Sequence, residues 1–175
     1  MTKADAMRAD WLTHFENARS RKTAPGVSTV ETIRSMSGLE FISAIADGTL
    51  PHPPIGDAMN FCFIEAAKGH AAFLGVPKHD HYNPIGSVHG GWACTLLDSC
   101  MSCAVQTTLA AGQGYTTVEL KVNLVRPISS ETGPIRAEGR VINTGRTIAT
   151  AEGRLIGPDG KLYAHGTTTC LILGL

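Results

Sequence analysis

Net charge is the first thing this chain lacks: 15 basic residues balance 15 acidic ones, and the isoelectric point lies near 7. A neutral chain offers no broad electrostatic footprint to nucleic acid or to an anionic membrane, so neither is expected as a partner. The opening residues, Met-Thr-Lys-Ala-Asp-Ala, are polar and charged and lack the apolar core of a secretory signal. Cysteines number five, an odd count, and three of them fall on one apolar stretch. Reduced thiols in a cytoplasmic compartment fit that better than a disulfide framework. No internal repeat is evident. What remains is a 175-residue chain, 43% apolar, large enough to bury a core.

The stretch from Asn83 to Gly112 organises the rest. Trp92 to Ala111 reads as a helix in which Asp98 is the only charged residue. Leu96, Leu97, Met101, Val105 and Leu109 do not keep to one stripe, and small residues fill the other faces. A helix apolar all round is a buried one. At roughly 20 residues it approaches the length of a membrane span, but its Ser, Thr and Gln content, its central carboxylate and its lack of flanking basic clusters argue against that. Cys100 and Cys103 form a Cys-x-x-Cys mid-helix, where they read as small core residues rather than a redox pair.

A carboxylate inside such a helix needs a hydrogen-bond partner or a function. Gly90 and Gly91 open the helix and leave amides bare of side chains, a setting suited to developing negative charge on a carbonyl oxygen. Amide donor and carboxylate base together suggest acyl transfer, most simply hydrolysis. Eight residues separate Gly90 from Asp98, about 12 Å along one helix. One reacting carbonyl cannot touch both. If both act on one bond, they come from two copies of the helix, antiparallel across a two-fold dimer.

Elsewhere the pattern is regular. Residues 3 to 21 read as a charged helix carrying Met7, Trp11, Leu12 and Phe15, broken by Lys22 to Gly26. A second helix is expected from Ser28, and Ser37 with Glu40 forms a capping box before a third that stops at Gly48. Pro51 to Pro54 is a rigid linker, which divides an N-terminal helical extension (1–55) from the main domain (56–175). Met59 to Ala67 and His70 to Val76 make a hairpin around Lys68-Gly69. His79-Asp80-His81 lacks a third metal ligand at recognisable spacing and reads as a loop, so no metal is expected. In the next strand, Val118, Leu120, Val122 and Leu124 alternate with Thr117, Glu119, Lys121 and Asn123. The apolar set is expected to pack on the helix and the polar set to face water. Ile135 to Asn143 and Thr147 to Ile156 are joined by Thr144-Gly145-Arg146; Pro158-Asp159-Gly160 turns into a last strand, Leu162 to Leu173. The sum is an α+β fold, an antiparallel sheet wrapped around one long helix.

Asn83, His89-Gly90-Gly91 and Asp98, followed by the strand Thr116 to Pro127, closely resemble the hotdog-fold acyl-CoA thioesterases, in the PaaI-like phenylacetate-degradation branch of the 4-hydroxybenzoyl-CoA thioesterase superfamily. The likeness covers about residues 56 to 174. It implies a thioester hydrolase without metal or redox cofactor, with coenzyme A entering only as part of the substrate, and assembly as a homodimer or homotetramer. It also implies that Asp98 activates or directs water, as base or nucleophile, and that the Gly90 amide polarises the carbonyl with support from Asn83 and His89, while Gly91 binds substrate. Thr117 is expected to orient the water, with Thr116 as its neighbouring alternative. Arg146, beside Gly145, and then Arg126 are the candidates for coenzyme A phosphates. Two other readings share the scaffold. Asp80, Asn83, Pro84 and Ile85 partly echo an enoyl-CoA hydratase motif, but Gly86 stands where that motif has His; a non-catalytic acyl-CoA-binding protein is the third.

Overall fold

Apolar alternation after Asn60 builds a six-stranded, wholly antiparallel sheet in a computed structural model that describes residues 1–21 and 23–175. Lys22, expected to break the first helix, lies outside the described residues. The strands are β1 (Phe61–Ala67), β2 (His70–Gly75), β3 (Gln113–Leu124), β4 (Ile135–Thr144), β5 (Ile148–Ile156) and β6 (Leu162–Gly174), in the order β1-β2-β4-β5-β6-β3. Helices α1 (Lys3–Ser20), α2 (Val30–Ser35), α3 (Gly38–Asp47) and α4 (Ile55–Ala58) precede the sheet, and α5 (Gly90–Gln106) lies across its inner face. The expected architecture of a sheet around one long helix is the one observed.

The helix is shorter than its apolar run. It begins two residues before Trp92, because the His89 ring caps it by accepting from the Gly91 amide at 2.8 Å. It stops at Gln106 rather than Ala111. There the Thr107 and Thr108 hydroxyls donate to the carbonyls of Ala104 and Val105, competing with the backbone ladder, and Gly112 at φ +76° then turns the chain into β3. Leu96, Leu97, Cys100, Met101 and Ala104 are fully buried. Two glycines let the sheet come this close: Gly139 of β4 and Gly153 of β5 are paired in register, and a Cβ on them would stand 2.1 Å from the Cys100 carbonyl oxygen and 2.7 Å from Met101 Cγ. Only a residue without Cβ fits either place. Trp92, 2% exposed, anchors the N-terminal half through its indole N–H to the Met59 carbonyl at 2.8 Å.

Strand β3 departs from its alternation. A bulge between Thr117 and Glu119 shifts the register against β6, and one extra residue reverses which side chains share a face. Thr117 pairs with Cys170, Leu120 with Thr168, Val122 with Gly166 and Leu124 with Ala164. Paired residues of an antiparallel ladder point to the same side. Thr117 therefore joins Leu120, Val122 and Leu124 on the helix side, and Val118 is left outside at 56% exposure. The expectation that Thr117 opposes this apolar set is thus corrected by the bulge.

The N-terminal helices cover the β1 end. Phe15 and Ala18 of α1 are buried against Cys62 and Leu74 on the outer face of the sheet. Thr29, not Ser28, caps α2; Ser37 and Glu40 form the expected box and Gly48, at φ +85°, the expected stop of α3. Strand β1 begins at Phe61 rather than Met59, since Asn60 sits at φ +51° with its side-chain amide donating to the Val76 carbonyl at 2.6 Å. No helix among the described residues is long and apolar enough to cross a membrane.

Candidate active site

Asp98 occupies the strip of α5 that the sheet leaves uncovered, half-buried with Cys94, Thr95 and Ser99. The Thr117 hydroxyl donates to Asp98 Oδ1 at 2.9 Å, while exposed Thr116 makes no such bond among the described residues. Sequence reasoning missed what lies beside this pair. The Tyr115 hydroxyl donates to Ser102 Oγ at 3.0 Å, and Ser102 Oγ donates to the Asp98 carbonyl oxygen at 2.6 Å. The signal was present: Tyr115 is two residues before Thr117 and so shares its face.

The environment holds the neighbouring groups neutral. Burial, reinforced by the Asp98 charge, pushes the Cys103 thiol up to about 12. Burial first and a Cys103 charge second raise the Tyr115 hydroxyl well above its usual value. Neither can serve as a base near neutral pH. Asp98 is the one carboxylate on the helix.

At the helix tip a 300 Å³ cleft brings together Asn83, His89, Gly90, Leu124 and Arg126. His89 Nδ1 holds the Gly91 amide, so Gly91 spends its N–H inside the protein. The Gly90 amide, at the first helical position, has no hydrogen-bond partner among the described residues. Such a bare donor at a helix N-terminus suits a carbonyl oxygen that gains negative charge. Asn83 organises the loop leading to it: Oδ1 accepts from the Ile85 and Ser87 amides, each at 3.1 Å, and Nδ2 donates to Ser87 Oγ at 3.0 Å. Its side chain is a turn organiser at the rim.

One chain does not unite every candidate. Asp98 does not line the tip cleft and is about 12 Å from Gly90 along the helix. Gly145 and Arg146 lie on the β4–β5 hairpin, which the Thr108–Thr144 hydroxyl contact of 3.1 Å ties to the other end of α5. Arg126 alone of the two arginines stands at the cleft. Among the described residues no group of three or more His, Cys, Asp or Glu is placed to hold a metal ion, and His81 is instead buried and stacked at 6.0 Å from Trp92.

Residues 85–164 match the thioesterase superfamily. A provisionally named esterase of Halobacterium salinarum is 31% identical over 110 residues, 59% of this chain and 71% of that protein. A Caenorhabditis elegans protein with the same provisional name is 31% identical over 112 residues, 63% of this chain but only 64% of its own length. A Ralstonia eutropha structure, provisionally named a thioesterase and called a phenylacetic acid degradation-related protein, superposes with a TM-score of 0.68 at 28% identity, covering 75% of this chain and 98% of that one. The chain belongs to the thioesterase superfamily, with the hotdog architecture of its PaaI-like members.

Proposed function

We propose that the protein hydrolyses acyl-CoA or aryl-acyl-CoA thioesters to the free acid and coenzyme A. Asp98, oriented by Thr117, takes the proton of the attacking water, or attacks the carbonyl itself to form a mixed anhydride that water then hydrolyses to the acid. The Gly90 amide stabilises the oxyanion, with His89 fixing the tip and Asn83 the loop before it. The thiolate of coenzyme A leaves and is protonated. The observation that carries this reading is the 2.9 Å Thr117–Asp98 hydrogen bond on the one carboxylate of a buried helix.

Because Asp98 and Gly90 are too far apart in one chain to meet on one carbonyl, the active form is a two-fold dimer with α5 antiparallel to its copy. The open edge favours this. Among the described residues, strand β3 pairs on one side only, and Val118 and Leu124 on it are 56% and 58% exposed. An open strand edge that carries exposed apolar side chains is a natural place for strand or face pairing. In such a dimer the end of α5 that adjoins the Gly145–Arg146 hairpin would come near the Gly90 tip of the other copy. Arg146 and Arg126 are our proposal for the coenzyme A phosphates.

Asp98→Asn tests the reading. The variant is expected to keep its fold and lose at least about 100-fold in kcat, the usual size of a lost general base, measured by thiol release from a panel of acyl-CoA thioesters. Undiminished hydrolysis would reject the assignment.

A further inference from the structure

Two adjoining apolar spaces run along the flank of α5 away from Asp98. The outer one, 360 Å³, is walled by Val27, Phe41 and Ile45 of the N-terminal segment and by Cys103, Gln106 and Tyr115 of the main domain. The inner one, 70 Å³, lies behind it against Phe61, Phe63 and Phe73. Ile42, Ile45, Pro53 and Cys103 border both. Among the described residues, neither is lined by an Asp, Glu, Lys or Arg side chain. His52 in the inner wall turns its Nε2 to Asp57 Oδ2 at 2.9 Å.

The outer space neighbours the candidate site along both β3 and α5. Tyr115 is two residues from Thr117 on the same strand, and its hydroxyl rests on Ser102, one helical turn beyond Asp98. Cys103 is about 7.5 Å along the helix from Asp98. A carbonyl held at Asp98 would thus have an apolar space beyond Tyr115 and Ser102, bounded by the N-terminal extension. The inner end is narrow. An engineered apolar cavity that admits benzene measures about 150 Å³, roughly twice the 70 Å³ found here, so a slim chain fits and a ring does not.

Building on the thioesterase reading, we propose that α3 and the segment around Val27 close an acyl-chain chamber, and that the substrates are thioesters of unbranched aliphatic acids whose tails pass Ile45 and Cys103 to end at the edge-on Phe63–Phe73 pair. The ring centroids of that pair are 4.7 Å apart. The N-terminal extension is then a specificity element, and Ile45 is its gate between the two spaces.

The test compares butyryl-, octanoyl- and phenylacetyl-CoA on the full chain and on Ile45→Trp, with Cys103→Leu narrowing the same passage from the opposite wall. Folding of each variant is checked by thermal unfolding. In the wild type, kcat/KM is expected to rise from butyryl to octanoyl by up to about fourfold per methylene and to exceed that for phenylacetyl. Either variant should lower the octanoyl-to-butyryl ratio at least about tenfold. An unchanged ratio in a folded variant, or phenylacetyl preferred to every alkyl thioester, overturns the chamber. Calorimetric titration with decanoyl-CoA separates the two levels. Binding that Ile45→Trp weakens, without turnover in the wild type, keeps the chamber and rejects the hydrolase; turnover with a profile blind to Ile45 does the reverse.

Discussion

Thr117 reaches Asp98 only because β3 carries a bulge. Its hydroxyl lies 2.9 Å from Asp98 Oδ1, and the shift between Thr117 and Glu119 is what turns it toward the helix. A regular strand in the register of Leu120 to Leu124 would send it to the other side. The bulge thus works as a functional device, aiming one side chain at the candidate base.

Thr117→Val should lower kcat about 10- to 100-fold, the worth of one hydrogen bond to a charged group, with KM changing little. Thr117→Ser should restore most of the loss, and Thr116→Ala should be near neutral. Steady-state kinetics on one good thioester substrate checks all three. Equal losses at 116 and 117 would remove the positioning role.

If Asp98 of one copy faces Gly90 of the other, residue 94 lies at the two-fold. Cys94 is a half-buried free thiol on that strip, with its copy expected at helix-packing distance of about 8–10 Å. A short bis-maleimide should link two chains, and Cys94→Ser should abolish the link. Denaturing electrophoresis reads the outcome, and linkage that survives the substitution contradicts the antiparallel arrangement.

The long helix, the hairpins and the Ser37–Glu40 cap were legible in the sequence, because period and turn chemistry are local. The bulge was not: Val118 looks like one more apolar residue in an alternating run, and only pairing with β6 shows the slip. The helix end was misplaced for a similar reason. Ala110 and Ala111 continue the composition, but the hydroxyls of Thr107 and Thr108 end the ladder. Asp98 and the Gly90 amide were identifiable as candidates from composition and spacing, and Thr117 and His89 from the family resemblance, whereas Tyr115 and Ser102 come beside Asp98 only through a contact between strand and helix. The arginines show the limit: Arg126 and Arg146 look alike in sequence and stand at different ends of α5.

His89→Ala removes the cap on α5 and frees the Gly91 amide. We expect a stability loss of about 0.5–2 kcal/mol, seen as a lower Tm, together with reduced kcat as the tip loses its set geometry. His89→Asn, which can cap, should recover the Tm. A variant with unaltered Tm would show that the 2.8 Å bond does not hold the tip.

Acid stability should depend on Glu65. Its carboxyl is held below the usual range chiefly by the Arg136 guanidinium, which donates to Oε2 at 2.7 Å. A depressed carboxylate stabilises the fold above its unfolded value near 4.5, and that contribution disappears as pH falls through the lower folded value. Glu65→Gln should therefore lower Tm slightly at pH 7, by an amount that shrinks below pH 4. The effect is small because Glu65 is half-exposed and exposed ion pairs are screened by solvent. A Tm difference that grows toward low pH would reverse the sign.

Subunit complementation tests the shared site most directly. Asp98→Asn removes the base. Gly90→Pro removes the tip N–H at the first helical position, where proline is tolerated; its Cβ would meet only the movable end of the Leu124 side chain, at 2.7 Å, and His89, at ψ 136°, already has the conformation that precedes proline. Each variant alone should be nearly inactive. Co-refolded in equal amounts, half of the dimers should pair one variant with the other and carry one intact site of two, returning about a quarter of wild-type activity. No recovery from a mixture shown to contain hetero-dimers would contradict a site built from two chains.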